Sequence, residues 1–235
     1  MTPDTNKSKL FDSHVDSYDD DCMRGLKLSG ESRGYFARGR LDFVRGWWRK
    51  TGRPEPEIVI DYGCGTGEVT TLLAEMFPGA RIAGLDPSPE SIKRAGARHT
   101  AGRVSFHGLD ESARLPYAQL IHVNGVIHHV APSDRPGMMR ALRELLEDGG
   151  VLALFENNPL NPGTRLVMSR IPFDRDAVPV PPWEARRLLR DAKLELAHHG
   201  FLFYFPRILR TLRPLEPWLS RIPLGAQYGM LAVRS

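Results

Sequence analysis

A short apolar run followed at once by three closely spaced glycines constrains the fold more than any other feature of this sequence. Residues 57–61 are rich in isoleucine and valine, and the glycines that follow are Gly63, Gly65 and Gly67. A β-branched run of this length is typical of a buried parallel strand, and glycines at the next turn let the backbone approach a ligand closely. The segment therefore predicts a strand, a ligand-binding turn and a helix in an open α/β sheet.

Strand-like and helix-like segments alternate along the rest of the chain. Besides the run at 57–61, strands are predicted at 81–86, 104–107, 120–124, 151–155, 194–197, 201–205 and 228–233. Helices are predicted at 35–48, from 69 to before Pro78, from Pro87 onward, at 136–146 and at 182–192, with Gly149 and Gly150 capping the fourth. This alternation predicts an α/β fold, a single Rossmann-like domain with a mostly parallel sheet and helices on both faces.

Composition narrows the class of protein. A length of 235 residues, 41% of them hydrophobic, suits one large domain. Cys22 and Cys64 form neither a disulfide framework nor a metal-ligand set, which predicts a cytoplasmic protein without a bound metal. No apolar stretch approaches the roughly 18 residues of a membrane span, and a formal charge of +4 spread along the chain gives little support for a nucleic-acid partner.

The chain divides into a polar N-terminal part and the alternating core. Residues 1–50 are expected to form a helical lid, and residues 51–235 the ligand-binding core, with an insertion around 203–225. In the insertion, apolar residues from Ile208 to Leu215 lie at helical spacing, and arginines fall on the other side. A basic amphipathic helix of this kind can lie on a membrane surface, cover the sheet or form a homodimer contact, and the sequence leaves these three alternatives open.

The ligand of the glycine turn is predicted from its spacing and from two carboxylates. A dinucleotide-binding turn has the pattern G-x-G-x-x-G, whereas here the third glycine comes one position early and Glu68 takes the last place of the pattern. A glutamate would repel a pyrophosphate, but S-adenosylmethionine (SAM) carries no phosphate. Asp61 at the strand end suits the amino-acid tail of SAM, directly or through water. Asp86 either accepts both ribose hydroxyls or caps the next helix.

Three segments of the chain resemble the motifs of class I SAM-dependent methyltransferases. They are DYGCGTG at 61–67, GLDPS at 84–88 and NGVIHH at 124–129. The resemblance is greatest to the small-molecule branch that includes ubiquinone and menaquinone methylases, and it covers about residues 55–155. It implies a seven-stranded sheet whose last strand is antiparallel and inserted between the fifth and the sixth. It also implies SAM as cofactor and a small molecule as methyl acceptor.

The resemblance assigns the cofactor contacts. They fall on Tyr18, Arg38, Asp61, Gly63, Cys64, Gly65, Gly67, Asp86, Pro87, Ser88, Leu109, Asp110, Asn124 and Gly125. The glycines would line the methionyl part and Asp86 the ribose, while Tyr18 and Arg38 are candidates for the SAM carboxylate. Two positions depart from the family pattern: Gln119, where an aspartate is usual, and Lys193, where a glycine is usual.

The candidate catalytic residues are His128 and His129, which follow the fourth strand, where the methyl group of SAM is expected to point. A hydroxyl acceptor must lose a proton as its oxygen attacks, and histidine is a suitable base near neutral pH. Because neighbouring residues point in different directions, we expect one histidine to face the acceptor, with His129 favoured and His128 packed inside. The polar residues 156–158 are expected to bind the acceptor or to form a turn.

The predicted activity is SAM-dependent O-methylation of a small molecule in natural-product or cell-surface glycan and lipid biosynthesis. Two alternatives remain open. One is C-methylation of a quinone or polyketide-like ring, since an activated carbon needs less help from a base. The other is a SAM-binding interaction module without catalytic activity, against which the intact glycines and histidines argue.

Overall fold

The computed structural model describes residues 29–99, 102–170 and 177–235. Tyr18 and most of the predicted N-terminal lid lie outside these residues. Within the described ranges, no helix is both long enough and apolar enough to cross a membrane.

A seven-stranded sheet runs through the molecule. Its strands are β1 (Ile58–Tyr62), β2 (Arg81–Asp86), β3 (Val104–Gly108), β4 (Ala118–Asn124), β5 (Leu146–Asn157), β6 (Leu194–Leu202) and β7 (Gln227–Arg234). They are arranged in the order β3-β2-β1-β4-β5-β7-β6. Strand β7 is antiparallel to both of its neighbours, whereas the pairs among β1 to β5 are parallel. The predicted Rossmann-like architecture is confirmed, including the place of the last strand between the fifth and the sixth.

Helices cover both faces of this sheet. They are α1 (Arg33–Thr51), α2 (Glu68–Met76), α3 (Pro89–Arg98), α4 (Arg135–Leu145), α5 (Pro162–Met168), α6 (Pro182–Asp191) and the short α7 (Glu216–Leu219), with 3-10 helices at Leu109–Arg114, Ile127–His129 and Arg207–Leu215. One apolar core lies between the sheet and helices α1 and α2. A second lies between the sheet and helices α4 and α6. Burial from both sides explains why the central strands are nearly continuous apolar runs.

Helix α1 belongs to the first core, although the sequence assigned it to a lid. The side chain of Ser32 caps it by accepting from the backbone N–H of Tyr35, and Gly52 ends it with a φ of 66°. Four of its buried apolar side chains share one core cluster with strands β1, β4 and β5; they are Leu41, Val44, Trp47 and Trp48. Residues 33–51 are therefore a layer of the domain, and the boundary predicted at residue 50 does not separate two packing units.

The predicted glycine cap of the fourth helix was wrong. Helix α4 ends at Leu145 and β5 follows at once, so that Gly149 and Gly150 lie inside the strand. Gly149 has a φ of 79°, and the register of β5 against β4 shifts near this point. A glycine is needed here because the kinked strand requires a backbone conformation that other residues avoid.

The C-terminal segments also differ from the prediction. The pieces expected at 194–197 and 201–205 form the single strand β6, which ends before Phe203, a residue with a φ of 63°. The amphipathic helix expected in the 203–225 insertion is the 3-10 helix Arg207–Leu215. Its arginines and leucines recur every third residue, which is the period of a 3-10 helix.

Candidate active site

The glycine turn lies where the parallel strands of the sheet end, at an edge that we call the carboxyl edge. The backbone N–H groups of Gly63 and Cys64 donate to the carbonyl oxygen of Leu85 over 2.7 and 3.0 Å, which ties the turn to β2. All three glycines of the turn have a positive φ: 76° at Gly63, 53° at Gly65 and 85° at Gly67. A backbone of this handedness favours glycine at each position.

The three glycines have different surroundings. A Cβ atom on Gly63 would lie 2.4 Å from Cγ2 of Val126. A Cβ atom on Gly67 would lie 2.8 Å from the ring of Phe106. A Cβ atom on Gly65 would meet no described atom within 4 Å. Gly65 is therefore the point at which the turn presents bare backbone to a ligand.

Asp86 ends β2 beside this open backbone. Its Oδ2 atom accepts from the N–H of Gly65 over 2.8 Å, and its Oδ1 atom accepts from the N–H of Ser88 over 2.9 Å. Ser88 in turn caps α3, where its side chain accepts from the N–H of Ser91. Asp86 therefore orders both the turn and the start of α3.

The residues predicted to border the adenine lie on the β3 side of the turn. In the pairing of β2 with β3, Gly108 is opposite Asp86, and Leu109 and Asp110 begin the 3-10 helix that follows. Asp110 is exposed and Pro87 is half-buried, while Leu109 packs against the second core. The fold therefore gathers these side chains around the end of β2.

Asp61 is buried at the end of β1. Its Oδ2 atom accepts from the hydroxyl of Thr70 over 2.7 Å, and its Oδ1 atom lies 2.9 Å from Nδ1 of His122. Asp61 and His122 are only 2% and 1% exposed. This network joins β1 to α2 and β4 and sets the geometry of the turn between them. A contact of Asp61 with the tail of SAM stays a prediction.

The residues around the turn fit SAM. The open backbone at Gly65 leaves room for a ligand, and Asp86 offers carboxylate oxygens suited to a ribose diol. The side chain of Cys64 lies against β2, where burial raises the pKa of its thiol, so the thiol stays protonated and unreactive. Glu68, which would oppose a phosphate, forms an ion pair with Arg33 at 3.2 Å.

A buried carboxylate–imidazole pair lies at the carboxyl edge, between β4 and β5. Nδ1 of His128 is 2.6 Å from Oε2 of Glu156, whose Oε1 accepts from the N–H of Ile127 over 2.7 Å. His128 and Glu156 are 4% and 1% exposed. With a neutral ring and Glu156 as the acceptor, the ring proton lies on Nδ1, and Nε2 is the ring nitrogen away from Glu156.

This pair adjoins the position expected for the methyl-bearing end of the cofactor. Asn124 is the last residue of β4, and Gly125 follows it with a φ of 65°. A Cβ atom on Gly125 would lie 3.5 Å from Cε1 of His128. The His129 ring is 4.1 Å from that of His128 and is less deeply buried. The fold therefore brings Asn124, Gly125 and His128 together. It also pairs His128 with Glu156, which the sequence analysis expected to bind the acceptor or to form a turn.

Arg135 supports the segment that packs beside His128, and sequence reasoning missed it. Arg135 is 1% exposed. It donates to the carbonyl oxygens of Val130 and Val178 over 3.1 and 2.6 Å, and to Glu184 over 2.6 Å. The N–H of Val178 donates in turn to the carbonyl oxygen of His128. No pattern in the sequence distinguishes this arginine from surface arginines, which are far more common.

Two arginines of α1 have different surroundings, and the contact of Arg38 with the SAM carboxylate stays a prediction. Arg38, the candidate for the SAM carboxylate, is exposed and helps to line a cavity of about 330 Å³ with Phe203 and Glu216. Arg40 is buried instead and donates to Oε1 of Gln227 over 3.0 Å at the carboxyl edge. Residues two apart on a helix point about 200° apart, so Arg38 and Arg40 face different surroundings.

Both departures from the family pattern have structural explanations. The side-chain oxygen of Gln119 accepts from the N–H groups of Glu57 and Ile58 over 3.1 and 2.7 Å, which links β4 to the start of β1. Lys193 follows α6 with a φ of 57°, the conformation in which a glycine is usual after a helix. Gln119 is therefore a structural residue, and Lys193 keeps the turn at some cost in backbone strain.

Comparison with known proteins identifies the family. A model of the methyltransferase-domain family matches residues 31–211. A trans-aconitate 2-methyltransferase from an Azoarcus species is 31% identical over 186 residues, which are 78% of this chain and 68% of that protein. Another, from Methylobacterium radiotolerans, is 36% identical over 115 residues, which are 48% of this chain and 43% of that protein. The match therefore spans less than half of the Methylobacterium protein.

Solved methyltransferases share this fold. The magnesium protoporphyrin IX methyltransferase from Synechocystis, solved with bound S-adenosylhomocysteine (SAH), superposes with a TM-score of 0.66 at 18% identity, over 97% of this chain and 100% of that chain. At this identity the likeness concerns the fold alone. Because the family model and the Azoarcus relative match most of the sequence, the chain belongs to the methyltransferase-domain family, whose methyl donor is SAM.

Proposed function

We propose that this protein transfers the methyl group of SAM to a hydroxyl oxygen of a small molecule, of the kind made in natural-product or cell-surface glycan and lipid biosynthesis. The observation that carries the proposal is the pair of His128 and Glu156 beside Gly125. A hydroxyl needs a proton acceptor while its oxygen bonds to carbon, and an imidazole held by a carboxylate is suited to that task.

The glycine turn and Asp86 would hold SAM. When bound, SAM supplies a methyl group on a positively charged sulfur that leaves readily. The chain's own part is to align the acceptor with this methyl group and to exclude water. Gly65 provides the open backbone for this binding, and Asp86 provides the carboxylate.

His128 is the proposed base, and Glu156 is the residue that positions it. The carboxylate accepts from Nδ1, so that Nε2 presents the lone pair that takes the acceptor's proton. The positive charge that then forms on the ring is stabilised by the carboxylate 2.6 Å away. The N–H of Ile127 holds the other oxygen of Glu156. This assignment replaces the expectation that His129 is the base, since the pairing seen here involves the buried member of the two.

A carboxylate acceptor is the second candidate. The relatives at 31% and 36% identity are named trans-aconitate 2-methyltransferases. A carboxylate is already ionised at neutral pH, so its methylation needs no base. His128 and Glu156 would then orient the acceptor, and their loss would change KM more than kcat.

Methyl transfer from radiolabelled SAM to phenols, sugars and trans-aconitate tests both candidates. With a hydroxyl acceptor, we expect His128→Asn to lower kcat by about 10²–10⁴-fold. Glu156→Gln should lower kcat less and move its pH dependence, because the ring loses its charged partner. His129→Asn is the matched control and should change kcat only slightly. Calorimetry should show similar SAH binding in all three variants and no binding of NAD.

Other results would change the assignment. Full kcat in His128→Asn with a hydroxyl acceptor would rule out the base. If His128→Asn keeps its full kcat with trans-aconitate, the carboxylate candidate is favoured. If the His128→Asn/His129→Asn double variant keeps its full kcat on an activated ring carbon, C-methylation is favoured. SAH binding without turnover of any acceptor would favour an interaction module.

A further inference from the structure

The C-terminal insertion exposes leucine, isoleucine, tryptophan and arginine side chains together. Residues 207–215 have the sequence RILRTLRPL, three triplets that each begin with arginine and end with leucine. They form a 3-10 helix with a kink at Leu209. The three leucines of these triplets are all exposed. We call residues 207–224 the insertion surface.

The apolar side chains of the insertion surface are exposed to solvent. Ile208 and Trp218 are 88% and 86% exposed, and Leu215 is 52% exposed. Four others are also exposed: Leu209, Leu212, Ile222 and Leu224. Neither the 3-10 helix Arg207–Leu215 nor helix α7 contains a buried residue. Large apolar side chains gathered on one exposed surface mark an interaction site.

Polar contacts hold the backbone of the insertion surface in place. Oε1 of Glu216 accepts from the N–H groups of Tyr204 and Phe205 over 3.2 and 3.0 Å. The hydroxyl of Tyr204 lies within hydrogen-bond distance of the carbonyl oxygens of Leu219 and Ile222, either of which can accept its proton. Burial raises the pKa of Tyr204 to about 12, so this hydroxyl keeps its proton at neutral pH. The exposed apolar side chains are therefore carried on an ordered backbone and do not belong to a loose tail.

The insertion surface is positively charged. Between residues 207 and 224 the chain has four arginines and one glutamate. Arg207, Arg210 and Arg221 are exposed. Arg213 faces inward and pairs with Glu31 at 2.7 Å. The exposed charge beside the apolar side chains is thus cationic.

Helix α5 extends this surface. Leu160 and Leu166 are exposed near its two ends, and Arg165 is exposed between them. The side-chain amide of Asn161 donates to the carbonyl oxygen of Leu224 over 2.6 Å, which joins α5 to the insertion surface. Apolar and basic side chains therefore continue from one segment to the next.

We propose that the insertion surface, together with α5, binds the surface of a bilayer that contains anionic phospholipids. Tryptophan, leucine and isoleucine can enter the interface while the arginines meet lipid phosphates. A second copy of the chain fits less well, because a symmetric dimer would bring two copies of the same positively charged patch together. Nucleic acid fits less well, because its phosphates leave the apolar side chains without partners.

The insertion surface leaves the sheet at the carboxyl edge. Leu202, at the end of β6, pairs with Gln227 at the start of β7, and Gln227 donates to Asn157 at the end of β5. Binding to a bilayer would therefore bring the edge that carries the glycine turn close to the lipid. The binding itself is independent of methyl transfer and is measured without turnover.

Sedimentation of the 235-residue chain with vesicles tests the proposal. The protein should pellet with vesicles of phosphatidylglycerol and phosphatidylcholine, should not pellet with phosphatidylcholine alone, and should bind less as salt is raised. Arg210→Gln and Arg221→Gln should each lower the partition coefficient by about fivefold. Ile208→Ser combined with Trp218→Ser should lower it by about tenfold or more. Arg81→Gln, an exposed position at the opposite edge of the sheet, is the matched control.

Tryptophan emission gives a second measurement. Vesicles should shift the emission to shorter wavelength, and Trp218→Phe should remove this shift. Trp183→Phe should keep the shift, because Trp183 is an exposed tryptophan on α6, a helix outside the insertion surface that packs on the sheet beside α4. Equal binding to neutral vesicles, unchanged binding of the arginine variants, a dimer that Ile208→Ser abolishes, or tighter binding to RNA than to vesicles would each overturn the proposal.

Discussion

Two positions of the turn, Gly63 and Gly65, require glycine for different physical reasons. At Gly63 the missing Cβ makes room for Val126, which belongs to the protein itself. At Gly65 it leaves open space beside the carboxylate of Asp86. The first glycine therefore serves the fold, and the second serves the ligand.

Alanine substitutions should separate these two tasks. Gly65→Ala should cost about 1–2 kcal/mol of stability from its positive φ alone and should weaken SAH binding. Gly63→Ala should cost more, because its Cβ would lie 2.4 Å from Cγ2 of Val126. Val126→Ala added to Gly63→Ala should restore part of that stability. Urea denaturation and SAH calorimetry measure both effects, and equal losses in the two single variants would contradict the distinction.

Arg135 illustrates a buried charge that holds a loop in place. Arg135→Met should lower the free energy of unfolding by about 3–5 kcal/mol, because it leaves Glu184 and two carbonyl oxygens without their donor. Arg140→Met is the control, since Arg140 is exposed on the same helix and its loss should change stability by about 0.5 kcal/mol or less. Chemical denaturation of both variants tests this, and a small effect at Arg135 would show that the loop is held by other contacts.

The ends of helices and strands depend on a few backbone conformations. Strand β6 ends where Phe203 has a φ of 63°, and α6 passes into β6 through Lys193 at a φ of 57°. Neither phenylalanine nor lysine favours a positive φ. Such ends are difficult to predict from sequence because a side chain that packs well can offset the strain.

Replacing Lys193 should show how much strain this turn carries. Lys193→Gly should raise the free energy of unfolding by about 1 kcal/mol, because glycine adopts a positive φ without strain. Lys193→Ala should give no gain, since alanine keeps the Cβ atom. The midpoint of urea unfolding measures the difference, and a Lys193→Gly protein less stable than wild type would show that the lysine side chain contributes more than the strain removes.

Two neighbouring histidines lie on β6, at the edge of the sheet. His198 stacks on Phe43 of α1 with 4.8 Å between ring centres. Burial, with the positive charge of Lys50, lowers the pKa of His198. Burial and Arg186 lower the pKa of the neighbouring His199 in the same way. The unfolded chain therefore takes up these protons at a higher pH than the folded protein does.

Stability should consequently fall as the pH decreases below about 6.5, the ordinary pKa of histidine. Above that pH both states are neutral at these positions, and the stabilisation is fully present. A His198→Asn/His199→Asn variant should lose less stability than wild type between about pH 7 and pH 5. Thermal unfolding across this range measures the slope, and identical slopes would assign the acid sensitivity to other groups.

The sequence by itself determined most of the strands and their succession along the chain, the glycine turn and the carboxylate that ends β2. These features are local: hydrophobic runs, glycines with a positive φ and residues at strand ends act within a few neighbours along the chain. The placement of His128 and His129 at the end of β4 followed from the same local pattern.

The tertiary structure alone decided which of these side chains meet. Glu156 pairs with His128 across 28 residues, and Arg40 reaches Gln227 across 187 residues while Arg38 faces elsewhere. It also decided that α1 packs against the sheet as part of the core and that the leucines of the three triplets stay exposed. The physical reason is that such pairs depend on strand register and on which face of each helix meets the sheet. Long-range packing sets both of these, and the short-range sequence pattern does not encode them.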